Sequence, residues 1–169
     1  MKILVGYNGG EPGRMALSLA RDFALKNNAF VYIITSMEGG TSEKPADIAA
    51  AEEGLAYARK IMEKSNVEYD AQQSVRGLTP WEDLVNFARE NEIDQIFLGI
   101  KKKSRAQKAL LGSTARDVIL KAPCPVTTVK FELNNIAPLD LLKDRRVLVV
   151  DDDPDILETI DKMLDMCIY

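Results

Sequence analysis

Short β-favouring runs separated by amphipathic stretches constrain this chain more than any other feature. Ile3-Leu4-Val5, Phe30 to Thr35, Val67 to Val75, Asp94 to Leu98 and Val126 to Val129 each read as a strand. Between them lie four helical patterns. Pro12 to Lys26 places Ala16, Leu19, Ala20, Phe23 and Ala24 on one face, with proline where a helix starts well. Pro45 to Ser65 does the same with Ala51, Leu55, Ala58 and Met62. Thr79-Pro80 opens a helix to Asn91 carrying Trp81, Leu84, Val85 and Ala88, and Ser113 to Lys121 turns Ala115, Val118, Ile119 and Ala122 inward. Strand–helix alternation with short turns requires parallel pairing through right-handed crossovers. The expectation is a three-layer α/β/α sandwich, Rossmann-like, around a five-stranded, mostly parallel sheet. Phe30 to Thr35 is apolar nearly throughout, as a strand covered on both faces must be, whereas Val67 to Val75 is more polar and suits a sheet edge.

Ligands of such sheets sit at the carboxyl ends of the strands, where the strand order reverses. Two glycine-bearing loops leave carboxyl ends. The first, Tyr7-Asn8-Gly9-Gly10-Glu11-Pro12-Gly13, follows Gly6; the second follows Gly99 and runs to Gly112-Ser113-Thr114. A helix that opens at a glycine with hydroxyls beside it offers free N–H groups, a partial positive charge and no Cβ in the way, which suits an anion. Lys101, Lys102, Lys103, Arg105 and Lys108 bring formal positive charge to the second loop. The plainer reading of the same residues is a set of turn glycines, an N-cap and a solvated basic loop.

With 169 residues, 46% hydrophobic and 28% charged, the chain is long enough for one globular domain with an appendage. Its net charge of −4 speaks against a general nucleic-acid binder. Two distant cysteines, Cys124 and Cys167, fit a reducing compartment rather than a disulfide scaffold. No apolar run approaches the length of a membrane span, and the start lacks a leader pattern, so a cytoplasmic protein without a membrane partner is expected. The absence of histidine removes Ser-His-Asp and Cys-His catalysis.

The residues up to about 131 resemble the universal stress protein family. Its nucleotide-binding members carry glycine, two residues, glycine, nine residues, then glycine and serine or threonine. Gly99, Gly112 and Ser113 fit that spacing, with Lys102 at the middle glycine position. Cys124-Pro125-Val126 is similar to the family's entry into the last strand. Ile3 to Gly13 is similar to its first strand and loop, where Asn8 stands in place of the usual aspartate. The resemblance implies an adenine nucleotide α-hydrolase-like fold. It implies ATP, AMP or another adenine nucleotide, with or without Mg²⁺, bound at the carboxyl ends of strands one and four. The residues it nominates are Tyr7, Asn8, Gly9, Gly99, Lys102, Gly112, Ser113 and Thr114. It further implies a homodimer formed through Pro125 to Lys130.

Residues 132–145, with Asn134-Asn135 and Pro138, read as a linker. Residues 146–169 resemble the first strand and helix of a response-regulator receiver: Val147 to Val150, then Asp151 and Asp152 where that domain holds Mg²⁺, then a helix with Ile156, Leu157, Ile160, Met163 and Leu164. The later strand with the phosphoacceptor aspartate is not among these residues, so the segment reads as incomplete; no metal site is expected, and the carboxylates read more readily as favouring a helix N-terminus.

The chain offers no evident general base and no Walker pattern. Binding or sensing in a stress response is therefore expected over fast turnover, with slow ATP hydrolysis as the upper limit. The alternative is a ligand-free dimerisation domain that presents a signalling receiver. A third reading, an adenylating enzyme, shares only two glycines with Asn8 to Gly13.

Overall fold

The computed structural model describes residues 1–40, 43–100 and 112–130. β1 (Lys2–Gly6) lies at the centre of a five-stranded sheet with β2 (Phe30–Met37), β3 (Tyr69–Val75), β4 (Gln95–Ile100) and β5 (Val126–Lys130). The order is β3-β2-β1-β4-β5 and every pairing is parallel. β1 therefore has a neighbour on each side: Val5 is in register with Ile33 of β2 and with Phe97 of β4. Ile3, Leu4 and Val5 are fully buried, so this strand needs apolar residues on both faces. The polar β3 is at one edge and β5 at the other.

The helices α1 (Glu11–Asn27), α2 (Pro45–Lys64), α3 (Pro80–Glu90) and α4 (Ser113–Lys121) divide between the two faces. Alternate strand residues explain the division. Ile3, Val5, Val31, Ile33 and Phe97 pack with Leu17, Ala20 and Ala24 of α1 and Leu55, Ala58 and Met62 of α2. Leu4, Ile34, Ile96 and Leu98 point the other way, onto Leu84, Val85 and Ala88 of α3 and Val118 of α4. Burying each large aliphatic side chain contributes about 1.5–3 kcal/mol, which makes these two clusters the main source of stability.

The expected five strands, four helices and three layers are all present. Individual residues differ. Leu19 is 43% exposed while Leu17 is buried, so the inward face of α1 is rotated from the one expected. Ile119 is 41% exposed because α4 is a short end helix that touches the core through Ala115 and Val118. β2 runs on through Ser36 and Met37, two residues past the strand expected over Phe30 to Thr35. β4 runs through Gly99 to Ile100, so the strand does not end at that glycine. The linker and the receiver-like segment lie outside the described residues. No described helix is long and apolar enough to cross a membrane.

Candidate functional site

The sheet order reverses between β1 and β4. From β1 the chain steps outward to β2 and β3, then returns to the far side of β1 as β4. The helix after β1 packs on one face of the sheet, and the helix after β4 contributes to the other. Their N-termini therefore rise on either side of the same point, the usual place for a ligand in an open parallel sheet.

The four helix starts differ: the Gly10 N–H that opens α1 is taken by the Asn8 side-chain oxygen and Glu11 lies in its first turn, and α4 is the start that lacks such groups among the described residues. The N-cap N–H of α2 is closed by the Asp47 carboxylate reaching back to Lys44, at 3.1 Å. The N-cap N–H of α3 is closed by Glu82 reaching back to Thr79, at 3.0 Å. Hydrogen bonds to Thr79 hold Glu82 below the usual carboxylate range. The N-caps of α1 and α4 are Gly10 and Gly112, with no side chain to bond the first turn. α4 also carries no acidic residue in its first turn. Among the described residues no side chain bonds its early N–H groups, which lie beside the exposed Ser113 and half-buried Thr114, an arrangement that suits an anion. A Cβ at Gly112 would meet no atom of the described residues within 4 Å.

Gly99 serves a different end. A Cβ there would lie 2.1 Å from the carbonyl carbon of Pro12, 2.2 Å from its oxygen and 2.5 Å from the nitrogen of Gly13. The glycine lets the first turn of α1 rest directly on β4, which brings the two loops together. Its backbone continues the β4–β5 ladder in register with Val129.

In the first loop, Asn8 is exposed, and its side-chain oxygen accepts the N–H of Gly10 at 3.2 Å. That bond forms a compact turn and leaves the amide NH₂ as the group available outward. Gly9 follows with φ of +72°, a left-handed conformation that suits glycine. Arg14 closes the loop from below: its Nε donates to the Gly9 carbonyl at 3.0 Å and its backbone N–H to the Gly10 carbonyl at 2.9 Å.

Tyr7 is 3% exposed, and its ring belongs to the core between α1 and α2. The side chain is therefore not presented at the switch point; the main chain is what Tyr7 can offer a ligand. Its hydroxyl is buried without a hydrogen-bond partner of good geometry among the described residues. Burial pushes it up to about 12, against the opposing field of Arg14. Lys102 and the other basic residues of the second loop lie outside the described residues, as do Asp151 and Asp152. Among the described residues no group of three His, Cys, Asp or Glu could hold a metal ion.

Comparison with known proteins agrees with the fold. The model of the universal stress protein family matches residues 1–130. The chain belongs to that family. A universal stress protein structure from Archaeoglobus fulgidus is 36% identical, with a TM-score of 0.67 over 75% of this chain and 95% of the other. A structure from the same organism, described as a universal stress protein in complex with dAMP, is 33% identical with a TM-score of 0.59, over 75% of this chain and 94% of the other. A universal stress protein of Synechocystis is 27% identical over 129 residues, and the match spans 76% of this chain and 42% of that longer relative.

Arg14, Gly54 and Tyr57 are parts of the site region that the sequence reading missed. Gly54 and Tyr57 belong to α2, and only the tertiary fold brings them to the first loop.

Proposed function

We propose that this universal stress protein binds an adenine nucleotide at the switch point between β1 and β4, and acts by binding rather than turnover. The observation that carries this reading is the start of α4, capped by Gly112 with no acidic residue in its first turn, beside two helices whose starts are closed by their own carboxylates. The dAMP complex of the Archaeoglobus relative supports the ligand class.

In this reading the phosphate rests on the N–H groups of Ser113 and Thr114 with the Ser113 hydroxyl, above Gly112. Asn8 turns its amide NH₂ to a ribose oxygen, and the main chain of Tyr7 and Gly9 shapes the floor. Gly99 acts by letting β4 and α1 meet. Lys102 adds charge to the phosphate, and Mg²⁺ is not required for the backbone contacts. Titration calorimetry with AMP, ADP and ATP, each with and without Mg²⁺, tests the proposal. Saturable binding of at least one is expected; no heat with any of them contradicts it.

A second reading, a ligand-free interaction domain, draws on Asn8, whose oxygen is already committed to Gly10 and which carries no charge. It predicts a stable dimer with no nucleotide affinity. Dimerisation itself is common to both readings. We place it on Pro125–Lys130, because β5 is a sheet edge with no further strand among the described residues. Sedimentation of the purified chain decides the oligomeric state.

A further inference from the structure

The first loop is held from a direction the family resemblance does not indicate. α2, the helix after the next strand, reaches it at two points. Gly54 packs against Gly9: a Cβ on Gly54 would stand 3.2 Å from the Gly9 Cα and 3.5 Å from the Tyr7 ring. One turn further along α2, the Tyr57 ring lies under the Arg14 guanidinium, 4.6 Å from carbon to ring centroid. The same guanidinium donates from Nε to the Gly9 carbonyl and lies 3.8 Å from a Glu11 carboxylate oxygen. Arg14 thus takes two successive loop carbonyls, Gly9 through its side chain and Gly10 through its backbone. Only the side-chain arm depends on residue identity. A planar guanidinium can donate in its plane while stacking on a ring through its face; an ammonium has no plane to stack and approaches the ring only as a point charge.

We propose that Arg14 is a positioning residue, holding the Asn8–Gly10 loop in its ligand-receiving shape by tying the Gly9 carbonyl to the Tyr57 ring of α2. It touches no ligand itself. The left-handed Gly9 is held by the Asn8–Gly10 turn and by Gly54, with no apolar side chain between Tyr7 and Pro12 to anchor the loop further. The tie supplies that rigidity, and it makes the placement of α2 a determinant of affinity at the switch point. This inference rests on the proposed nucleotide site for its affinity arm and on the loop geometry alone for its second arm.

The test uses the full chain and four variants: Arg14→Met, Arg14→Lys, Tyr57→Leu and Tyr57→Phe. The first readout is amide hydrogen exchange of the Gly9–Glu11 segment without ligand. The second is the AMP dissociation constant. Removing one hydrogen bond from a charged donor is expected to speed exchange and weaken AMP by about tenfold in Arg14→Met. Arg14→Lys is expected to resemble Arg14→Met. Tyr57→Leu is expected to lie between, and Tyr57→Phe to keep wild-type values because the ring remains. Unchanged exchange in Arg14→Met overturns the proposal, as does faster exchange with unchanged AMP affinity. Equal effects of Tyr57→Phe and Tyr57→Leu also overturn it, because the ring face would then not be what supports Arg14. If the wild type binds no nucleotide, the functional reading fails, and the exchange arm still decides whether Arg14 fixes the loop.

Discussion

Replacing Gly99 by alanine separates the two meanings a motif glycine can have. If Gly99 mattered mainly as a phosphate contact, alanine would alter binding and leave the fold alone. The structure says otherwise. The added Cβ would meet three backbone atoms of Pro12 and Gly13 at 2.1–2.5 Å, where ordinary contact begins at 3.4 Å. None of the three belongs to a flexible side chain, so the first turn of α1 must retreat from β4 by roughly 1 Å or β4 must bend away from β1. Overpacking of this kind costs about 2–4 kcal/mol. For a chain of this size that is a drop in melting temperature of about 6–12 °C. Circular dichroism melts and urea unfolding of Gly99→Ala measure it directly. AMP affinity should fall as well, because the retreat parts the two helix starts. A melting temperature within about 2 °C of wild type would refute the reasoning, since β4 and α1 would then not be in the contact described.

Three other outcomes follow from the same geometry. Ser113→Ala should leave stability within about 0.5 kcal/mol, as at an exposed position, and weaken AMP about fivefold through one lost hydrogen bond, read by calorimetry. Tyr7 keeps its proton to about pH 12 in the fold but only to about pH 10 unfolded. The unfolded state thus binds fewer protons in that window, so stability is complete below pH 10 and falls as pH rises toward 12, by about 2–3 kcal/mol; urea midpoints of Tyr7→Phe should lack that component of the alkaline loss. Asp83 is 1% exposed and pairs at 2.7 Å with Arg76, which also reaches Glu90 at 2.8 Å. Arg76→Met should therefore cost about 3 kcal/mol in urea unfolding by stranding a buried carboxylate, and adding Asp83→Leu should restore most of it.

The fold was legible because hydrophobic period and turn chemistry agree along the whole domain. Phe30 to Thr35 read as a strand covered on both faces, β3 read as an edge, and Thr79-Pro80 read as a helix start; β2 lies inside the sheet, β3 at its edge, and α3 starts at Pro80. Helix faces were less secure. α1 has small residues on several sides, so its periodicity admitted Leu19 where packing chose Leu17. Residue types in the site region were legible from the loops that carry them, but their orientation was not. The family resemblance nominates Tyr7 as a ligand residue; strand alternation continues past Gly6 and turns its ring into the core. Gly99 looked like a strand end because glycine breaks strands, yet the reason for it is Pro12, on a helix far away in sequence. The tie from Arg14 to Tyr57 leaves no local trace at all, because neither residue is unusual in its own helix. Buried Asp83 is hidden in the same way, lying where acidic residues commonly favour a helix start.

The central claim is that two glycine-capped helix starts at the β1–β4 reversal receive an adenine nucleotide. Titrating AMP into the ¹⁵N-labelled full chain and following backbone amide shifts tests both the ligand and its place. The account predicts saturable shifts concentrated at Asn8–Glu11 and Gly112–Ala115. Absence of shifts, or shifts centred on the opposite end of the sheet around Asn28 and Asn66, would contradict it.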